Sequence, residues 1–177
     1  MSVTRELAQL VVSHRPEDVP ADVRHEARRA LLNFVGCAIG GSTEDAVEIA
    51  IRTLAPYSGP QIACVLGRAE RLDPLRASFL NGIAAHVHDF DDTTPKNYIH
   101  PSAPVLSALL AYASTTPVSG AELMHAFILG FEAESRIGNA VKQLLALTKA
   151  VQGPGSDITQ IVCTVEKWAG VEVKAKS

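Results

Sequence analysis

Residues 86–102 read His86-Val87-His88-Asp89-Phe90-Asp91-Asp92-Thr93-Thr94-Pro95-Lys96-Asn97-Tyr98-Ile99-His100-Pro101-Ser102. Three of the six histidines of the chain, three aspartates and a lysine share this one stretch. An imidazole titrates near neutrality and moves protons, a nearby aspartate orients and charge-tunes it, and a hydroxyl holds a carboxylate or a leaving hydroxyl. The stretch thus collects the parts needed for acid–base chemistry on a small polar substrate.

The same residues admit plainer roles. His86 and His88 can finish a helix, where a protonated ring favours the negative end of the dipole. Asp91, Asp92 and Lys96 can form a solvated loop. His88 and Asp89 can serve as metal ligands in the manner of HD-type metal phosphohydrolases, with His25 and Asp157 as the further ligands available. His14, His25 and His125 fall on helical patterns and read as core-edge or surface residues.

The flanks must position this loop. Asp73-Pro74 is a helix start, Asp as cap and Pro in the first turn, and Leu75, Phe79, Leu80, Ile83 and Ala84 follow at helical spacing. That helix delivers His86 and His88 to its C-terminal end. After the loop, Val105, Leu106, Leu109, Leu110 and Ala113 predict a second helix opening near Pro101. Its free N–H groups and dipole make a seat for a carboxylate or phosphate.

The rest of the chain also reads as helices. Leu7, Leu10, Val11 and His14 predict a short one, and a longer one spans Pro20 to Ile39 with Gly40-Gly41 as its stop. Thr43 is placed to cap a third through Leu54. Residues 61–66, bounded by Pro60 and Gly67, predict a single short strand. Ser119-Gly120-Ala121-Glu122 is a capping box that opens a helix to about Gly138, and another helix is expected from Lys142 to Val151. A distinct tail follows, Gly153-Pro154-Gly155 and an apolar stretch from Ile158 to Trp168. The fold class is all-α, a helical bundle-like domain with at most that one strand.

With 177 residues, 47% of them hydrophobic, the chain suits one domain with a real core. A net charge of −3 without a Lys/Arg stripe argues against nucleic acid as a partner. Charges near the N-terminus and the lack of a long uncharged apolar run argue against secretion and a membrane location. Cys37, Cys64 and Cys163 lack paired spacing and read as structural thiols of a reducing compartment, cytoplasmic or mitochondrial matrix.

His88-Asp89-Phe90-Asp91-Asp92-Thr93, followed by His100-Pro101-Ser102-Ala103-Pro104-Val105-Leu106, resembles the MmgE/PrpD family, which includes 2-methylcitrate dehydratase and cis-aconitate decarboxylase. Ala30 to Gly41, Phe79 to His86 and Ser119 to Gly138 resemble it too, so the likeness covers residues 4–140 and leaves 141–177 as a divergent tail. Members of the family are longer, with a lid domain after the helical one; the resemblance therefore extends to the front part only, with the lid domain absent.

The resemblance implies a lyase that acts on a small polycarboxylate by cofactor-free acid–base dehydration or decarboxylation, without a metal. It implies Asp89, Thr93 and His100 as catalytic residues and His88, Asp92 and Ser102 as substrate-binding residues, in a homodimer. The chain departs from the family at Thr94, in a longer stretch between Thr93 and His100, and in having no histidine after His125. The alternative is a catalytically inactive helical fragment that acts by association with a partner or with itself.

Overall fold

The computed structural model describes residues 3–96 and 98–156, together with residues 160, 165 and 170. Asp157 and Cys163, and the apolar stretch expected from Ile158, lie outside the described residues or at their margin. Among the described residues there are six α-helices: α1 (Val3–Ser13), α2 (Ala21–Gly41), α3 (Asp45–Leu54), α4 (Pro74–His86), α5 (Ser102–Ala113) and α6 (Gly120–Gln152). The chain divides into two compact units, residues 1–135 and 136–177, with the division falling within α6. The all-α expectation is met; among the described residues no helix is long and apolar enough to cross a membrane.

The helix that ends at the histidine-rich loop is fixed at its start. Asp73 Oδ1 accepts from the N–H groups of Leu75 (3.2 Å) and Arg76 (3.3 Å), which satisfies two of the free donors of the first turn. Its Oδ2 accepts from the Arg76 guanidinium (2.8 Å), Ser58 Oγ (2.9 Å) and the Gly59 N–H (3.2 Å). These bonds, led by the one from Arg76, hold the Asp73 carboxyl well below the usual carboxylate range.

Two apolar clusters meet on α4. One joins Val47 and Ile51 of α3 to Ala77, Leu80 and Ala84 of α4 and to Ala63, Val65 and Leu72. The other joins Ala27, Phe34 and Ala38 of α2 to Ala85 of α4, Ala103 and Leu106 of α5, and Phe127 of α6. The buried face of α4 is Ala77, Leu80, Asn81, Ala84 and Ala85, whereas Leu75 and Phe79, placed on the apolar face by spacing, are exposed. Small residues line the crossings, so the helix backbones come close enough to fix where α4 ends.

The stop expected at Gly40-Gly41 falls on its second glycine, since α2 runs through Gly40 and ends at Gly41. A Cβ on Gly41 would collide with the Ala84 carbonyl oxygen and lie 2.6 Å from Val87 Cγ1. Gly41 therefore also serves the close approach of α2 to the end of α4. Thr43 does not cap α3, since the N-cap is Glu44, without a side-chain cap bond.

The expected strand at 61–66 shrinks to β1 (Ala63–Cys64) and pairs antiparallel with β2 (Arg71–Leu72), Ala63 opposite Leu72, a partner that spacing had not indicated. Asn81, buried on α4, accepts from the Leu66 N–H (2.8 Å) and donates to the Cys64 carbonyl (3.1 Å), so the hairpin is held on α4 through both the oxygen and the nitrogen of one amide. The capping box at Ser119 forms as expected: its N–H donates to Glu122 Oε2 (2.7 Å) and its Oγ accepts from the Glu122 N–H (3.2 Å). Gly138 does not end that helix, and the two helices expected from 119 to 151 are the single α6.

Candidate active site

The loop leaves α4 by a tight reversal. The Asp89 N–H donates to the His86 carbonyl (2.9 Å), and Asp89 has a φ of 55°, a left-handed conformation that aspartate tolerates better than most side chains. Asn33 of α2 donates to the Phe90 carbonyl (3.3 Å) and ties the reversal to the next helix.

At the other end the loop caps α5 itself. Asp92 Oδ2 accepts from Ser102 Oγ (2.7 Å) and Oδ1 from the Ser102 N–H (3.3 Å). The anion seat expected at this helix N-terminus is thus filled by the carboxylate of the protein itself. Between these ends the Thr94 N–H donates to the Ile99 carbonyl (3.0 Å) and the Tyr98 N–H to the Thr94 carbonyl (2.8 Å).

Pinned in this way, the loop folds its acids and bases together. His86 Nδ1 is 2.9 and 3.1 Å from the two oxygens of Asp91, and His100 Nδ1 is 3.3 Å from Asp91 Oδ1. His100 Nε2 is 3.7 Å from Asp89 Oδ1, and Thr93 Oγ1 is 3.4 Å from each ring nitrogen of His100. The two rings meet edge to face, centroids 4.8 Å apart. The Asp91 side chain has 0% exposure, against 24% for His100 and 77% for Asp89.

Of the residues named from sequence, Asp89, Thr93 and His100 come together. His88 does not join them: its Nε2 is 3.5 Å from Glu44 Oε1, at the start of α3. Asp92 and Ser102 are bonded to each other at the α5 terminus. Two members of the cluster, His86 and Asp91, stood in the sequence as a helix end and a solvated loop residue. Nothing in their spacing separates Asp91 from Asp92, because the left-handed turn at Asp89 that aims them in different directions is set by packing.

The cluster opens on a cavity of about 770 Å3 whose lining includes His86, His100, Phe79, Ile83, Val87 and Pro104. A second cavity, of about 570 Å3, is lined by Asp92 and Thr93 with Arg29, Asn33, Phe127 and Glu132. The surroundings are acidic. Burial, and then Asp91 and Asp92, push the Cys37 thiol up; burial, and then Asp92, push the Glu134 carboxyl up.

The Glu134 shift carries a sign that can be checked. A carboxyl raised above its ordinary 4.5 is held less well as an anion in the folded chain than in the unfolded one. Its ionisation therefore costs stability at higher pH, and the cost disappears as pH falls through 4.5. Glu134→Gln is expected to melt above the parent at pH 7 and to match it at pH 4. A variant that melts below the parent at pH 7 contradicts this.

Several described histidines and acids stand outside the cluster. His14 Nδ1 lies 3.1 Å from His125 Nε2, with the rings stacked, which joins the end of α1 to α6 at half-buried positions. His25 is exposed on α2. The four groups whose ligand atoms converge are His86, Asp89, Asp91 and His100, not the His88 and His25 set considered for an HD-type centre.

The chain is 31% identical over 147 residues to a cis-aconitate decarboxylase-like protein, oryM, of Aspergillus oryzae, covering 79% of this chain and 30% of that protein. It is 31% identical over 158 residues to the cis-aconitate decarboxylase of Homo sapiens, covering 86% and 33% respectively. Against the cis-aconitate decarboxylase of Aspergillus terreus the identity is 26% over 144 residues, covering 78% and 29%. The chain spans about a third of the length of these relatives. Residues 5–149 match the MmgE/PrpD N-terminal domain, and the chain belongs to the MmgE/PrpD family.

Proposed function

We propose that the chain carries the acid–base centre of a lyase acting on a small polycarboxylate, with cis-aconitate as the first substrate to test. The single observation that supports it most is His100, held against the buried Asp91 carboxylate at Nδ1 while it faces Asp89 and Thr93 at the mouth of a cavity. With Nδ1 turned to the Asp91 carboxylate at 3.3 Å, Nε2 is the nitrogen placed to take up or deliver a proton.

In a dehydration, His100 removes the proton next to a substrate carboxylate as water departs; in a decarboxylation, it supplies a proton to the carbon that loses carbon dioxide. The Thr93 hydroxyl holds a carboxylate oxygen or the leaving hydroxyl, and Asp89 compensates the protonated ring at Nε2. No step in this scheme needs a metal or an organic cofactor.

Among the described residues the lining of the first cavity offers two imidazoles and no Lys or Arg. A substrate with two or three carboxylates needs more positive charge than that. The remaining cations are proposed to come from the two thirds of the relatives' length that this chain does not span, or from a second copy in a homodimer. Reduced Cys37 and Cys64 fit the cytoplasm or the mitochondrial matrix.

The exposed apolar side chains Leu75 and Phe79 on α4 and Tyr112 on α5 favour a second reading, an inactive fragment that associates with itself or a partner through these residues. One experiment separates the two. Purified chain is incubated with cis-aconitate, 2-methylcitrate and citrate, with and without EDTA, and products are followed by chromatography. EDTA-resistant turnover is expected; no turnover of any of the three by folded, monodisperse chain overturns the lyase reading for this molecule and favours the fragment.

A further inference from the structure

The four groups that gather at the loop also meet the requirements of a metal centre. His86, Asp89, Asp91 and His100 each offer one ligand atom, all within 4.8 Å of one another. A tetrahedral zinc ion binds imidazole and carboxylate at about 2.0–2.2 Å, which sets its ligand atoms roughly 3.4 Å apart. Separations here include 2.9 Å (His86 Nδ1 to Asp91 Oδ1) and 3.3 Å (His100 Nδ1 to Asp91 Oδ1), and the four ligand atoms all lie within 4.8 Å. Small side-chain adjustments bring such a set to ligation distance.

Chemistry and access agree with the distances. Two imidazoles and two carboxylates suit a borderline ion of the zinc class better than the all-oxygen shell that magnesium prefers. Asp91, without exposure, forms the floor, and the exposed Asp89 and half-exposed His86 leave a path from solvent. Two negative charges against a divalent ion give a neutral centre.

We propose that this cluster is a zinc-class ion site, and that occupancy inhibits rather than assists. An ion seated on either nitrogen of His100 draws electron density from the ring and lowers its basicity, so the ring no longer takes up the proton that the reaction must move. Only this inhibitory consequence rests on the lyase reading above; the binding itself rests on the geometry alone.

The test is equilibrium dialysis of the EDTA-stripped, desalted 177-residue chain against zinc sulfate. One zinc per chain is expected, binding saturably. Asp91→Asn and His86→Gln should each weaken it at least about tenfold. His125→Ala, which breaks the other facing imidazole pair, should leave it unchanged. Circular dichroism checks folding, and if Asp91→Asn unfolds, His86→Gln, at a half-exposed side chain, decides.

Absence of saturable binding, equal affinity in the folded His86→Gln variant, or loss in His125→Ala each overturns the site. Dialysis does not read turnover, so a chain that processes cis-aconitate without binding zinc refutes the ion site alone. A chain that binds zinc without turnover refutes the lyase alone.

Discussion

On the lyase reading proposed above, His100→Ala is expected to lower turnover of cis-aconitate by about 10²–10⁴-fold, the range typical for losing a positioned general acid–base group. His100 lies against Asp89, Asp91 and Thr93 together. Without the ring nothing remains to carry the proton, because His86 is turned to Asp91 by its Nδ1 and the Thr93 hydroxyl is too weak a base at neutral pH. The loss should lie in kcat, with KM moving little, since the ring acts on the proton more than on substrate affinity. Steady-state kinetics of parent and variant, with circular dichroism as the folding control, checks this. Residual activity within a few-fold of the parent would remove His100 from the chemistry.

A comparable loss is expected in Asp91→Asn, although Asp91 does not reach the cavity lining. The carboxylate is bonded to His86 and faces His100 Nδ1 at 3.3 Å, and an amide of the same shape offers one acceptor oxygen and one NH2 donor group in place of two acceptor oxygens. One of the two rings then faces an N–H and must rotate or change tautomer. When the tautomer of a catalytic histidine is set wrongly by an Asp→Asn change, losses on the order of 10⁴-fold are known in serine proteases, which sets the upper end of the expectation. His86→Gln, which keeps the Asp91–His100 contact, should cost far less. If Asp91→Asn retains activity while His86→Gln does not, the proton is carried by His86 and not by His100.

What the sequence made legible was mostly local. Asp73 before Pro74 and Ser119 three residues ahead of Glu122 specify helix starts through bonds that span three residues, and both form as spacing predicts. The loop that brings Asp89, Thr93 and His100 together was legible from residue types and from family resemblance. The non-local features were not. Gly40-Gly41 has the appearance of a stop, and its second glycine also answers to the Ala84 carbonyl more than forty residues away. The Arg71–Leu72 strand is two residues long and exists through its pairing with Ala63–Cys64. Gly138 sits inside a helix that its neighbours sustain.

The same division runs through the site. Asp91 and Asp92 are adjacent and chemically identical, but one is buried between two imidazoles and the other caps α5. Which aspartate does which follows from the φ of 55° at Asp89 and the tie from Asn33 to Phe90. Both depend on packing between α2 and α4. His88, although it lies nearest to the motif in sequence, is carried to Glu44 by the same reversal.

The way this loop is fastened also bears on how it can change over generations. Asp92 closes on Ser102, and within that closure Thr94 closes on Ile99, so the tip lies inside two nested rings. Lengthening a segment whose ends are already joined costs only about 0.6 kcal/mol for each doubling. Residues added between Thr94 and Ile99 thus carry a small closure cost and leave Thr93 and His100 where the outer ring holds them. The tip is the part of the loop that is evolvable: insertions there can remodel the rim of the cavity while the proton-carrying apparatus is inherited intact.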